Sequence, residues 1–255
     1  MKLGVVAVVS LGLALAACAG GQISADDDDA VAQAVEPSLR AAAANAEASQ
    51  DYKGAAQHWR TLYQRRPGDR AIAVQLARMM RYAGQPQLAA DLMQGHLAKR
   101  PDDGDLLAEL GKDYLAADRT ALGARTLERA SEVMPDRWDL HSALGVAYDI
   151  EGRKAEAEAA YAKALALAPG NPQVLNNLGL SQALQGRIDE AAATLTRAAD
   201  HPRAGVQIRQ NLALVLALRG NTDQAERLVR RDLPPEMARA NAEVLRALAQ
   251  AARGP

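Results

Sequence analysis

Leu144-Gly145-Val146-Ala147-Tyr148, followed by Ala157, Tyr161, Ala164 and Pro169, is the stretch that decides the fold. Its residue types return at one spacing along most of the chain. Pro67, Pro101, Pro135 and Pro169 are each 34 residues apart. So are Ala55, Ala89, Gly123, Ala157, Ala191 and Ala225, and so are Ala43, Ala77, Gly111, Gly145, Gly179 and Ala213. A fixed period of this length marks one supersecondary unit, repeated and stacked.

Each unit reads as two helical stretches joined by a short turn. Gly84, Gly152, Gly186 and Gly220 hold one repeat position in that turn, with Asp118 there in the third unit; glycine supplies the left-handed conformation that ends a helix. Proline near the end of a unit stops the second helix. A helix pair cannot bury its apolar face alone, so neighbouring units must stack. Units are expected at 36–69, 70–103, 104–137, 138–171, 172–205 and 206–232. The 255 residues therefore form one elongated domain. Aromatics are 3% and Phe is absent, too little to fill a globular core but sufficient where alanine, the best helix former, lets helices approach closely. A formal charge of −1 gives no support for nucleic-acid binding, which needs a strongly basic face.

The pattern resembles the tetratricopeptide repeat. Unit four carries Leu144-Gly145, Tyr148, Ala157, Tyr161, Ala164 and Pro169. Unit three carries Leu110-Gly111, Tyr114, Gly123, Leu127, Ala130 and Pro135, and unit five Leu178-Gly179, Ala191, Leu195 and Ala198. The resemblance implies an all-α, right-handed superhelical solenoid of about six helix pairs over 36–232. Residues 233–255 read as a C-terminal capping helix and tail, in which Met237, Asn241, Val244 and Leu248 share a face.

The amino terminus reads differently. Residues 1–17 have the positive start and short apolar stretch of a secretory signal. They end in Leu15-Ala16-Ala17 before Cys18, the only cysteine in the chain. This resembles the bacterial lipobox, which implies a diacylglyceryl group and palmitate on Cys18 and cleavage before it. Ala19, where inner-membrane lipoproteins carry Asp, implies the periplasmic face of a Gram-negative outer membrane. Residues 18–35, with Gly20, Gly21 and the run Asp26–Asp29, are expected to form a flexible, self-repelling tether.

No catalytic, cofactor or metal motif is found. His58, His96, His141 and His201 fall at unrelated repeat positions, and Gly111-Lys112 precedes Asp113 rather than the Ser or Thr of a phosphate loop. The chain is expected to be no enzyme and to bind protein. In the family it resembles, first helices line a concave peptide-binding side. The positions that map there are basic in units one to three, with Arg40, Arg78, Arg81, Tyr82 and Lys112. In units four to six they are Val146, Ile150, Asn176, Asn177, Leu180, Leu184, Asn211, Leu214 and Leu218, an apolar stripe with amides that suits an extended segment or an amphipathic helix. The Lys and Asn of the chaperone carboxylate clamp are missing, since Ser142, Val146, Asn176 and Leu180 stand at those places.

A closer resemblance joins the lipobox to Asn176–Ser181, Arg209–Leu216, Ala225-Glu226-Arg227, Arg231–Glu236 and Asn241. Together these look like the tight-adherence (Flp) pilus assembly lipoprotein. That resemblance implies a pilotin or scaffold holding the pilus secretin or another assembly component, and through the pili a part in adherence and biofilm. A general envelope scaffold for peptidoglycan or lipoprotein complexes, and a type IV pilus pilotin, are the alternatives.

Overall fold

The structure, a computed structural model, describes residues 25–252, and every regular element among them is helical. The helices pair in chain order: α1 (Ala25–Ala48) with α2 (Tyr52–Arg65), α3 (Arg70–Tyr82) with α4 (Pro86–Leu97), and α5 (Gly104–Ala116) with α6 (Thr120–Val133). Then come α7 (Trp138–Ile150) with α8 (Lys154–Leu167), α9 (Pro172–Leu184) with α10 (Ile188–Ala199), and α11 (Val206–Leu218) with α12 (Thr222–Asp232). A last helix, α13 (Pro235–Ala252), packs on α11 and α12. Six pairs and a final helix make an all-α superhelical solenoid. From α3 to α11 each first helix also touches the first helix of the next pair, whereas no two second helices touch among the described residues. First helices therefore form the inner, concave wall.

One contact sets the spacing within a pair. A Cβ built at Gly145 would lie 2.5 Å from Tyr161 Cε1, one at Gly111 2.6 Å from Leu127 Cγ, and one at Gly179 2.7 Å from Leu195 Cγ. Each glycine sits on a first helix and each large partner 16 residues later on the second. Where the first helix carries alanine at that place, as at Ala77 and Ala213, the second carries Met93 and Val229, and all four are buried. Helix starts repeat as well: Asp69, Asp103 and Asn171 accept backbone N–H bonds at the first turns of α3, α5 and α9. Such caps each contribute about 1 kcal/mol. Arg137 occupies the same repeat position before α7 and makes no cap bond.

The turn between paired helices needs positive φ. Gly84, Gly152, Gly186 and Gly220 supply it at +73 to +94°, and Asp118 and Gln50 adopt it as non-glycine residues with φ 58° and 61°. Gln50 completes the register in the first unit, where the sequence shows no glycine signal.

Two expectations change. The tether expected over 18–35 is helical from Ala25 onward. Acidic residue types are favoured where a helix begins, because they oppose its dipole, and the alanines that follow propagate it. Cys18, the signal at 1–17 and residues 19–24 lie outside the described residues. On α13 the buried stripe is Ala238, Ala242, Leu245 and Ala249, while Met237 and Val244 are exposed. Small residues let α13 seat closely on its neighbours, so the face with the larger side chains turns outward.

Gly145→Ala is expected to destabilise the protein by about 2 kcal/mol, since the Tyr161 ring has little room to yield. Gln50→Gly is expected to stabilise it by about 1 kcal/mol by removing a strained left-handed side-chain residue. Urea denaturation followed by circular dichroism checks both.

Candidate partner-binding groove

The inner wall encloses a groove of about 850 Å³ between α3 and α11. Its lining follows the repeat register. Arg78, Lys112 and Val146 hold one position on α3, α5 and α7, and the lining shifts from charged to apolar and amide-bearing along that line. Asn176 and Asn177 of α9 line it, as do Gln173 and Gln207, which share a position, and Ile208 of α11.

Of the nine residues expected from sequence, Val146, Asn176 and Asn177 converge in the groove, beside Arg78, Arg81, Tyr82 and Lys112. Ile150, Leu180, Leu184, Asn211, Leu214 and Leu218 do not line it. Ile150 and Leu184 are 59% and 81% exposed and stand at the last position of their first helices, which Tyr82 holds on α3 and Leu218 on α11. Leu180 and Leu218 are half-buried, and Leu214 packs against the core formed by α10, α11 and α12. The amides are linked to one another: Asn211 Nδ2 donates to Asn176 Oδ1 at 2.8 Å, Asn176 Nδ2 to Asn177 Oδ1 at 3.3 Å, and Asn177 Nδ2 to Ser142 Oγ at 3.2 Å. Each amide still has donor or acceptor capacity left.

The amino-terminal half is not simply basic, as the isolated cations imply. Arg78 and Arg81 both donate to Glu109, at 2.7 and 2.8 Å, and Arg81 also donates to Asp113. Lys112 bonds Asp139 at 2.9 Å, and Arg137 bridges Asp139 and Asp105 at 2.7 and 3.0 Å. Arg70 reaches Asp103 and Asp105. Arg40 pairs with Glu36 and lies over the Trp59 ring. Most of these pairs join residues 27 to 35 positions apart, a juxtaposition that stacking creates, whereas Arg137–Asp139 and Arg40–Glu36 are local.

Burial and charge compete within this network. Burial alone would raise the Glu109 carboxyl, but Lys112, Arg81 and Arg78 together outweigh it and hold it at about 2. At Asp139 bonds from Arg137 and Lys112 likewise overcome burial and keep the carboxyl well below its usual range. At Asp113 burial wins: the residue is 0% exposed, its Oδ2 has no partner, and its pKa is pushed up to about 7 despite Arg81.

Sequence reasoning missed Trp138, Arg137, Asp139, Gln173, Gln207 and Ile208 in the lining. Trp138 had a legible signal. It stands first in α7, where Gly104, Pro172 and Val206 begin the neighbouring first helices, and one of two tryptophans at a place the repeat pattern does not fill with an aromatic is that signal.

Residues 109–172 and 176–238, about half of the chain, match the family model described as tetratricopeptide repeat. The chain belongs to the tetratricopeptide-repeat family. Among solved structures, the tetratricopeptide-repeat protein TTC0263 of Thermus thermophilus superposes with a TM-score of 0.66 at 23% identity, covering 71% of this chain and 98% of that one. A tetratricopeptide repeat protein from Parabacteroides merdae superposes at 0.58 with 15% identity over 86% of each chain. A chain of the APC/C hetero-tetramer Cut9–Hcn1 superposes at 0.63 with 17% identity, covering 81% of this chain and 38% of that one. These likenesses are of fold. No curated protein matches the sequence. Tetratricopeptide-repeat proteins are generally non-catalytic interaction scaffolds, and no enzyme family is indicated. Among the described residues no group of His, Cys, Asp and Glu has a metal-holding arrangement, and no helix is long and apolar enough to cross a membrane.

Asp113 yields a pH signature. Its folded pKa lies above the ordinary 3.8, so the folded state binds the extra proton and stability falls as pH rises from about 4 to about 7. Asp113→Asn, which mimics the protonated form, is expected to gain about 2 kcal/mol on the wild type across that window. Below about pH 4 both proteins lose stability as Glu109 and Asp139 take up protons. Urea midpoints at half-unit pH steps check this.

Proposed function

We propose that the protein is a lipid-anchored, non-enzymatic scaffold of the outer membrane that assists assembly of the tight-adherence (Flp) pilus secretion apparatus. The observation that carries the scaffold reading is the concave groove, where Trp138, Val146 and the asparagine amides stand beside preset cations on one wall. That arrangement offers backbone-reading amides and side-chain contacts to another polypeptide. The anchor reading rests on the lipobox ending at Cys18 and on the absence of any second cysteine in the sequence. Several acyl chains hold a protein firmly, each buried methylene adding ~0.8 kcal/mol.

The pilus reading rests on the C-terminal resemblance, and part of that stretch has a structural role of its own. Arg209 Nε bonds Asp232 Oδ2 at 2.6 Å, Leu233 packs into the core beneath α12, and Pro235 begins α13. The stretch Arg231–Glu236 thus joins the last repeat to α13. Holding a pilus secretin or another assembly component in the groove is the function we assign to the whole.

Cys18→Ala is expected to abolish labelling by radioactive palmitate and to release the protein from the outer-membrane fraction. Deletion of the gene is expected to reduce secretin multimers and surface pili, assayed by non-denaturing electrophoresis of membranes. Normal multimers and normal pili in the deletion strain would refute the pilus assignment.

A further inference from the structure

The ionic groups that line the groove are unequal. Four are cations, Arg78, Arg81, Lys112 and Arg137, and one is an anion, Asp139. The two acids that pair with Arg78 and Arg81 lie beneath: the Glu109 side chain is 3% exposed and Asp113 0%, while Arg78 is 35% exposed; Asp105, which pairs with Arg137, is 40% exposed but does not line the groove. A network that is nearly neutral in sum therefore shows its positive side to the groove. The one lining carboxylate, Asp139, is held by both Lys112 and Arg137. Arg78 donates through Nη2 alone, so the rest of its guanidinium fork is free for another acceptor. Toward α9 and α11 the lining turns neutral. The side-chain amides of Gln173 and Gln207 have no hydrogen-bond partner among the described residues, and Trp138 and Val146, about two turns apart on α7, are half-buried in the lining.

We infer that the groove takes an extended acidic segment of a partner protein, its carboxylates over α3 and α5 and its apolar side chains against Trp138 and Val146. The inference rests on the reading of the groove as the protein-binding surface and adds the chemistry of what binds there. The buried acids hold the cations in place before any ligand arrives, which lowers the ordering cost of binding. Bidentate contact from the free Arg78 donors to a carboxylate gives both strength and geometry. The free Gln173 and Gln207 amides read the backbone of an extended chain. From α3 to α11 the wall covers four spacings of about 8–10 Å, a length that about ten to twelve extended residues match at ~3.3 Å each.

The test uses the mature chain and phage-displayed random peptides of about that length, with affinities of the selected synthetic peptides measured by fluorescence anisotropy. Selected peptides are expected to cluster Asp and Glu toward one end and apolar residues toward the other. Arg137→Gln and Arg78→Gln, each retaining helical circular dichroism, are expected to weaken binding about tenfold, Trp138→Ala and Val146→Asp similarly. For the unaltered protein, raising salt from about 0.05 to about 0.5 M is expected to weaken binding by a similar factor, through screening. Neutral or basic peptides that Val146→Asp still abolishes would overturn the acidic-segment inference and leave the groove reading standing. Peptides indifferent to every groove substitution, or no selected peptide at all, would overturn both. Self-association in sedimentation that Arg78→Gln abolishes would make a second copy of this chain the occupant and overturn the inference.

Discussion

Close approach of two helices is the constraint from which the rest of the molecule follows. In each pair a first-helix residue with little or no side chain faces a large one on the second helix: Gly111 with Leu127, Gly145 with Tyr161, Gly179 with Leu195. Interiors pack to near-crystalline density, so the pair distance is set by what fits at that point. Repeating one distance at one interval yields a regular stack. The first helices then meet their counterparts in the next unit while the second helices do not, and the resulting curvature creates the inner wall. The groove is thus a consequence of small residues placed where no ligand touches them.

That curvature also explains the electrostatics. Bringing α3, α5 and α7 side by side puts Arg78 and Arg81 against Glu109, and Lys112 against Asp139. Buried ion pairs recover little net stability, because removing charge from water is costly. Asp113 shows the cost in its raised pKa and unpartnered oxygen. What the network does supply is position: Arg78 and Arg81 are held at the groove by the buried Glu109 and Asp113, and Arg137 by Asp139 and Asp105. The same stacking ties Asn211, Asn176, Asn177 and Ser142 into one chain of hydrogen bonds, so the polar surface on the carboxyl side is equally fixed.

Some of this was legible in the residues and some was not. The interval between Pro67, Pro101, Pro135 and Pro169, and the glycines of the turn, are local signals that recur, and recurrence makes them readable without neighbours. Gln50 carries the turn conformation but has no distinguishing side chain, and only the register exposes it. The helical start of α1 at Ala25 was hidden because four consecutive aspartates suggest an extended chain, although acids also favour a helix start. On α13 the larger apolar residues drew attention to Met237 and Val244, yet the alanines pack, since small size rather than hydrophobicity governs how closely that helix can sit.

The amino-acid sequence by itself determined the solenoid: its period, its pair count, its turn glycines and the small residues where paired helices meet, because all of these are encoded at spacings within one unit. Only the tertiary structure decided the character of the groove. Whether Arg78 is a free cation or half of a pair, whether Leu214 is surface or core, and whether Trp138 faces the hollow depend on residues some thirty positions away, on the helix of the next unit. Charge and burial are properties of neighbours, and neighbours exist only once the units have stacked.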